Sequence, residues 1–349
     1  MTPAVETLAL NPSAADLRAA LEQALSRHFG VPCRVARLER RPSAYRTSFA
    51  IEELDVWLEN GMRAALMLKD LSRRALAMSA RRAKPAFLFD PLREIATYRA
   101  ILGPNGVSAP TYFGSVVDRR RGRYWLFLER VAGLELYQIG DLAVWQQVAR
   151  WLASMHARFP PQASPPVLAR SAPLLLYDGD FYRRWARRAL GYVRRAQPPQ
   201  PPHVLRGMAR LAGGYDRVVD RLLALPATFL HGEFYASNVL VQETAQGLRV
   251  CPVDWEMAAV GPGLIDLAAL TSGTWSEEER RTLAMAYYDA LPATLEWLPS
   301  PEVFWSALDY CRLHLAVQWV GWSQEWSPPP EHAHDWLGEA LGLAEKVGV

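Results

Sequence analysis

The residues with the most chemistry to offer lie between positions 231 and 256, in the run HGEFYASNVLVQETAQGLRVCPVDWE. His231, Glu233 and Asn238 stand at the start of one short apolar run, Asn238 to Val241. Asp254 and Glu256 follow a second, Leu248 to Val253, which carries Pro252 near its end. The polar stretch Glu243 to Gly247 separates them, so the spacing predicts a β-hairpin with a loose turn. A hairpin folds its two ends together, and carboxylates and an amide then converge beside His231. An oxygen-rich set of this kind suits a hard divalent cation, because Mg²⁺ takes oxygen ligands and keeps several waters.

The spacing of these residues resembles the catalytic core of the aminoglycoside phosphotransferase and choline kinase family, within the wider protein-kinase-like fold. That family has a His-Gly-Asp triplet, four residues and then Asn; His231, Gly232 and Asn238 match in identity and spacing, while Glu233 stands where Asp is usual. Asp254-Trp255-Glu256 occupies the place of the family's metal-binding triplet. Gly261-Pro262 and Asp266-Leu267-Ala268 follow as they do in the family. The resemblance implies roles residue by residue. Asn238 and Asp254 hold Mg²⁺, Glu233 accepts or orients the acceptor hydroxyl, and His231 and Asp266 support the loop. Lys69, at the end of the apolar run Leu66-Met67-Leu68, contacts the nucleotide phosphates. Glu94, in Arg93-Glu94-Ile95-Ala96-Thr97-Tyr98, fixes that lysine. An ammonium on a flexible stem needs such a partner to meet a polyanion in one place.

The implied activity is transfer of the γ-phosphate of ATP or GTP to a hydroxyl of a small molecule, with Mg²⁺. Phosphoryl transfer depends on positioning and charge neutralisation more than on covalent chemistry. Glu in place of Asp keeps the charge, and the intrinsic pKa values differ by only about 0.4. The added methylene changes the reach, and misplacement by about 1 Å can cost ~10²-fold in rate. Because Lys69, Asn238 and Asp254 are all in place, an active kinase is the expectation. A nucleotide-binding module with little or no transfer activity is the other reading.

The elements that must hold these residues divide at about residue 130. The resemblance implies an α+β, two-lobed protein: a small antiparallel-sheet lobe over 1–130 and a larger, mainly helical lobe over 131–349. In the first part, Leu17, Leu21 and Leu25 mark an amphipathic helix over 13–29 that Ser13 or Asp16 could cap. Strand-like runs follow at 34–40, 48–54, 64–70, 111–118 and 123–131. The last of them, RYWLFLERV, is apolar on both faces and so is expected to be buried. The segment from Glu129 through Val131 to Gly133 falls where the resembled fold joins its lobes, and its backbone is expected to meet the nucleotide base. Protein kinases cover the phosphates with a Gly-rich turn. The matching stretch here, Arg40 to Ser48, has no glycine, so Ser43, Thr47 and Ser48 are the candidate hydroxyl donors and Arg41 or Arg46 the candidate charges. The basic segment SRRALAMSARRAK at 72–84 is read as a short helix or a mobile loop.

Beyond Asp141 the periodicity is helical. Val144, Val148, Leu152 and Met155 share a face that runs into His156, read as structural. A Pro-rich loop is expected over 158–173 and helices over 181–195 and 206–225. The six arginines of 181–195 weigh against a polycationic acceptor. Ser276-Glu277-Glu278-Glu279 reads as a helix start, with carboxylates where the dipole favours them. Trp319, Trp322 and Trp326 share one helix face, as core or as an aromatic wall of an acceptor pocket. His332 and His334 are too loosely arranged for a metal site.

Composition narrows the class. The 349-residue chain is 50% hydrophobic and 21% charged, ordinary for a globular protein with a large core, and its net charge of +3 does not argue for nucleic acid. Cys33, Cys251 and Cys311 are odd in number and far apart, which fits reduced thiols in a cytoplasmic protein. Neither a signal pattern nor a membrane-length apolar run is found. The expected partner is a small hydroxylated acceptor, with no membrane and no nucleic acid.

Overall fold

The computed structural model describes residues 12–45, 48–160, 164–293, 299–322 and 333–349. The chain divides into two compact units, Met1–Ala132 and Gly133–Val349.

The first unit opens on helix α1 (Ala14–Phe29). The Ser13 hydroxyl caps it by accepting the Asp16 N–H at 3.1 Å, and Leu17, Leu21 and Leu25 form its buried stripe. The strands are β1 (Val35–Pro42), β2 (Ile51–Leu58), β3 (Arg63–Asp70), β4 (Tyr112–Asp118) and β5 (Arg123–Glu129). They form one antiparallel sheet in the order β1-β2-β3-β5-β4. Trp125 to Leu128 of β5 are all buried, as an apolar run on both faces requires. β5 stops at Glu129, two residues short of the expected end. There the Arg130 N–H reaches Ala65 O at 3.0 Å and its guanidinium turns to Asp55 at 2.6 Å.

Between β3 and β4 lie α2 (Met78–Ala83) and α3 (Arg93–Thr97), the latter running on into a π-helical turn over Tyr98–Leu102. The basic segment 72–84 is neither wholly helical nor a loose loop. Its first half is hydrogen-bonded alongside residues 48–50: Ala50 N–H to Ala75 O at 3.2 Å and Ala77 N–H to Ser48 O at 3.0 Å. Phe49 bridges to Leu76 there.

The second unit carries β6 (Leu134–Glu135), α4 (Leu142–Ala157), α5 (Ser164–Ser171), β7 (Leu175–Leu176), α6 (Gly179–Arg195), α7 (Pro202–Gly213) and α8 (Tyr215–Leu223). It continues through β8 (Ala227–Leu230), β9 (Val239–Thr244), β10 (Gly247–Pro252), β11 (Ala259–Pro262), α9 (Leu264–Leu270), α10 (Glu277–Ala290), α11 (Pro301–Trp322) and α12 (Trp336–Lys346). Two small sheets, β10-β9-β6 and β7-β11-β8, sit among these helices.

Two expectations are corrected here. The Pro-rich stretch contains α5, because prolines in a first helical turn sacrifice only N–H groups that have no intrahelical partner. The single helix expected over 206–225 is two helices that part at Gly214, after the Gly213-Gly214 pair. On α6 the buried face is Phe181, Tyr182, Trp185, Ala186, Ala189 and Val193. Arg184, Arg187, Arg194 and Arg195 are exposed, and Arg183 pairs with Asp216 at 2.7 Å. Trp319 and Trp322 are packing residues: Trp319 stacks on Trp336 with centroids 5.0 Å apart and planes 5° apart, and Trp322 lies 5.5 Å from Trp185. Trp326 and His332 lie outside the described residues.

Candidate active site

The β9–β10 hairpin sets the geometry. Its turn is tighter than the sequence suggests: Thr244 pairs with Gly247, and the register ends with Val239 opposite Pro252. One step further the Val253 N–H donates to Asn238 O at 2.9 Å. Asn238 and Asp254 therefore stand at the same end of the hairpin, one ladder position apart. Asp254 adopts φ 63°, ψ 59°, a left-handed conformation that is unusual for a residue other than glycine. The chain then turns into a single 3₁₀ turn, Trp255–Met257, and Trp255 stacks flat on Phe229 of β8 at 5.5 Å.

The loop from His231 to Asn238 is clamped from below and closed on itself. Buried Asp266, in the first turn of α9, accepts the N–H of His231 at 2.7 Å and of Gly232 at 2.9 Å. Both of its oxygens are thus used on main-chain donors, which explains a carboxylate with no access to water. His156, at the end of α4, brings Nε2 to 3.3 Å from the same carboxylate and Nδ1 to 2.9 Å from the Tyr287 hydroxyl. Gly263 gives that imidazole room, since a Cβ there would lie 2.8 Å from Nδ1. Gly232 has φ +85°, and a Cβ on it would come within 2.2 Å of Met257 O, so no other residue fits. His231 bridges the loop's two walls. Its Nδ1 accepts the Glu233 N–H at 3.3 Å, which fixes the proton on Nε2, and Nε2 donates to Val253 O at 2.8 Å.

Glu233 O accepts two donors, the Tyr235 N–H at 2.8 Å and Asn238 Nδ2 at 2.9 Å. The second bond uses the Nδ2 side of the Asn238 amide, so Oδ1 is the atom that could act as a ligand. Oδ1 of Asn238 and the Asp254 carboxylate are hard oxygen donors, and they fit Mg²⁺. No cluster of three or more His, Cys, Asp or Glu is gathered for a metal among the described residues. A cation here would complete its shell with water and phosphate oxygens, which is the habit of Mg²⁺.

In the first unit Lys69 and Glu94 form a buried ion pair at 2.7 Å, their side chains only 8% and 2% exposed. Ser43, at the end of β1, is fully buried; its hydroxyl accepts the Tyr45 N–H at 3.2 Å and lies 3.4 Å from Glu53. Arg41 is paired with Glu53 at 2.7 Å and with Asp55, and Arg40 with Glu52 at 2.8 Å. Arg46 and Thr47 lie outside the described residues. The Glu129 carboxylate binds the Thr111 N–H and hydroxyl, each at 2.9 Å, and Val131 follows beyond the end of β5.

Several supporting residues carry no local signal. Tyr287 and Thr228 hold His156, the Thr228 hydroxyl donating to His156 O at 3.0 Å, yet each lies in an unremarkable apolar stretch. Tyr235 packs edge-on to Trp319 at 5.3 Å. Burial pushes its phenol well above its ordinary pKa, and the neighbouring Glu233 charge adds to that.

Residues 67–298 match the model of the phosphotransferase enzyme family known as APH. No curated protein matches the chain. Among solved structures, a microcompartment-associated aminopropanol kinase is 16% identical with a TM-score of 0.57, over 89% of this chain and 92% of its own. The GDP complex of the aminoglycoside 2'-phosphotransferase-IIIa is 14% identical with a TM-score of 0.54, over 95% and 98%. A choline/ethanolamine kinase family protein from Mesorhizobium loti is 15% identical with a TM-score of 0.53, over 90% and 87%. At these identities the likeness is one of fold, and it is the kinase-like fold: an antiparallel-sheet part followed by a helical part.

Proposed function

The chain belongs to the APH phosphotransferase enzyme family, and from that premise we propose that it moves the γ-phosphate of ATP or GTP to a hydroxyl of a small molecule, with Mg²⁺. The observation that carries this reading is the hairpin end, where Asn238 and Asp254 stand one ladder position apart on a loop clamped by Asp266. Asn238 Oδ1 and Asp254 would hold Mg²⁺, which would supply positive charge to offset the charge that builds during transfer. Lys69, fixed by Glu94, anchors the phosphates. The segment Glu129 to Gly133 offers main-chain groups to the base. Ser43, at the glycine-free turn, is the proposed hydroxyl of that turn on the nucleotide side. Glu233 takes the proton of the acceptor hydroxyl as that oxygen bonds to the γ-phosphorus and the bond to the β–γ bridging oxygen breaks.

One observation favours a second reading, a nucleotide-binding module with little transfer. Glu233 has the longer side chain at the base position, and Arg40 and Arg41 are already neutralised by β2 carboxylates. Thermal unfolding with ATP and with GTP, each with and without Mg²⁺, separates the outcomes. A Tm rise that needs Mg²⁺ and disappears in Asp254→Ala supports the nucleotide site by linkage. Phosphate transfer in an acceptor screen, begun with the amino alcohols and aminoglycosides named for the fold neighbours, then decides between kinase and binding module. No Tm shift with either nucleotide at millimolar concentration overturns both.

A further inference from the structure

We propose that the cleft between α1, the π-helical turn over Tyr98–Leu102 and β4 binds a small phosphomonoester. The cleft has a volume of about 380 Å³, at the lower end for small-molecule sites. Arg27 and His28 of α1, Arg99 of the π-helical turn, and Tyr112, Phe113 and Ser115 of β4 line it. Its shape depends on Gly114. A Cβ there would lie 2.6 Å from the Ala24 Cβ, so only glycine lets α1 sit this close to the strand. The β4–β5 register shifts between Tyr112 and Gly114, which leaves Phe113 as the extra residue of a bulge. In a regular strand residues 112 and 115 would point to opposite faces; the extra residue puts them on one face, and their hydroxyls meet at 2.7 Å. The Phe113 ring lies 4.6 Å from the His28 ring and 6.3 Å from Phe29.

The charge in this cleft has one sign. Among the described residues no carboxylate lines it. The carboxylates of α1 and β4 are engaged elsewhere: Asp16 with Arg123 at 2.8 Å, Glu22 with Arg34 at 2.9 Å, and Asp118 with the Arg121 N–H at 3.0 Å. Arg27 and Arg99 are exposed, and among the described residues neither has an ion pair. The helix dipole accounts for a cation in the last turn of α1. It does not account for Arg99, which a separate element brings to the same cleft. The donor set selects the anion. Guanidinium groups are always charged, and their fork matches the oxygens of a phosphate. The bond between the Tyr112 and Ser115 hydroxyls uses one of their two hydrogens and leaves the other to donate. Two guanidinium groups and one hydroxyl match the three terminal oxygens of a phosphomonoester, where a carboxylate offers only two. Phe113 gives the organic part of the ligand an aromatic wall.

The test is isothermal calorimetry on the full chain, without Mg²⁺, using phenyl phosphate, benzoate and phenol as probes. Phenyl phosphate is expected to bind at least ~10-fold more tightly than benzoate, and phenol to give no binding. Arg27→Gln and Arg99→Gln are each expected to weaken phenyl phosphate by roughly 10-fold or more, the scale of one hydrogen bond to a charged group. Both side chains are exposed, so the Tm of each variant stays at the wild-type value. Added salt weakens phenyl phosphate binding in wild type and does so less in either variant. Unchanged phenyl phosphate affinity in both variants overturns the inference, because the anion is then held at another place. Benzoate binding as tightly as phenyl phosphate overturns the choice of a phosphomonoester. No binding of any probe by wild type at millimolar concentration overturns the site itself. Neither Lys69 nor Glu94 lines the cleft, so these outcomes are separate from that of the nucleotide titration.

Discussion

At residue 233 the main chain is tied on both sides: its N–H donates to His231 Nδ1, and its carbonyl accepts from Tyr235 and Asn238. The backbone cannot retreat to absorb a longer side chain without giving up the bond that orients the Asn238 amide. On the proposed mechanism, the extra methylene of Glu233 would then be taken up by an acceptor seated further from the loop. Glu233→Gln is expected to lower kcat by ~10²-fold or more with nucleotide affinity unchanged, read by steady-state kinetics and calorimetry. Glu233→Asp, which restores the commoner residue, is expected to lower kcat by ~10-fold or more rather than raise it, because the acceptor is set for the longer reach. A faster Asp variant would show that the acceptor is not displaced. The Lys69–Glu94 pair is the other test at this scale. Lys69→Met takes the Lys69 cation away from the buried Glu94 carboxylate and is expected to cost about 3–5 kcal/mol. The double variant Lys69→Met/Glu94→Gln recovers much of that stability and none of the nucleotide binding; urea titrations and calorimetry measure the two effects separately.

Elements place these residues through contacts that differ greatly in how far they can be read from sequence. The hairpin was legible because alternating apolar runs and a polar turn are local, and α1, with its Ser13 cap and leucine stripe, was legible for the same reason. The register was not: Thr244 pairs with Gly247, leaving a two-residue turn where polarity suggests the five residues Glu243 to Gly247, because β9 keeps pairing through its polar end. The split between α7 and α8 was signalled by Gly213-Gly214 but masked by apolar periodicity on both sides. The meeting of His231, Asn238 and Asp254 at one end of the hairpin was legible from spacing, whereas the support of Tyr287, Thr228 and Gly263 for His156 is set by packing between segments remote in sequence. Gly263→Ala tests that support. Its methyl must displace the His156 ring, so a destabilisation of ~1–3 kcal/mol in urea is expected. The loss of kcat should exceed what the lost folded fraction explains, because Asp266 moves with the ring. Stability loss with full activity per folded molecule would show that the clamp on His231 and Gly232 is independent of His156.

On the scale of the whole molecule, acid stability should report the core of the helical unit. His314 on α11 is fully buried, with Nδ1 2.9 Å from the Tyr215 hydroxyl and the Tyr182 ring 4.6 Å away, and burial lowers its pKa to about 3. An unfolded histidine titrates near 6.5, so below that pH the unfolded chain takes up a proton that the folded chain refuses. The stability this group contributes is complete above about pH 6.5 and is lost as pH falls toward 3, at about 1.4 kcal/mol per pH unit. Urea unfolding at pH 7 and pH 4.5 should show a smaller difference in His314→Gln than in wild type; parallel losses would mean that other groups carry the acid limb. Among the described residues no helix is long and apolar enough to cross a membrane. The flat pairing of Trp319 with Trp336 has an optical consequence. Two indoles held 5.0 Å apart and nearly parallel couple their transitions, so the chain should show an exciton couplet in its circular dichroism. That couplet would vanish in Trp336→Phe.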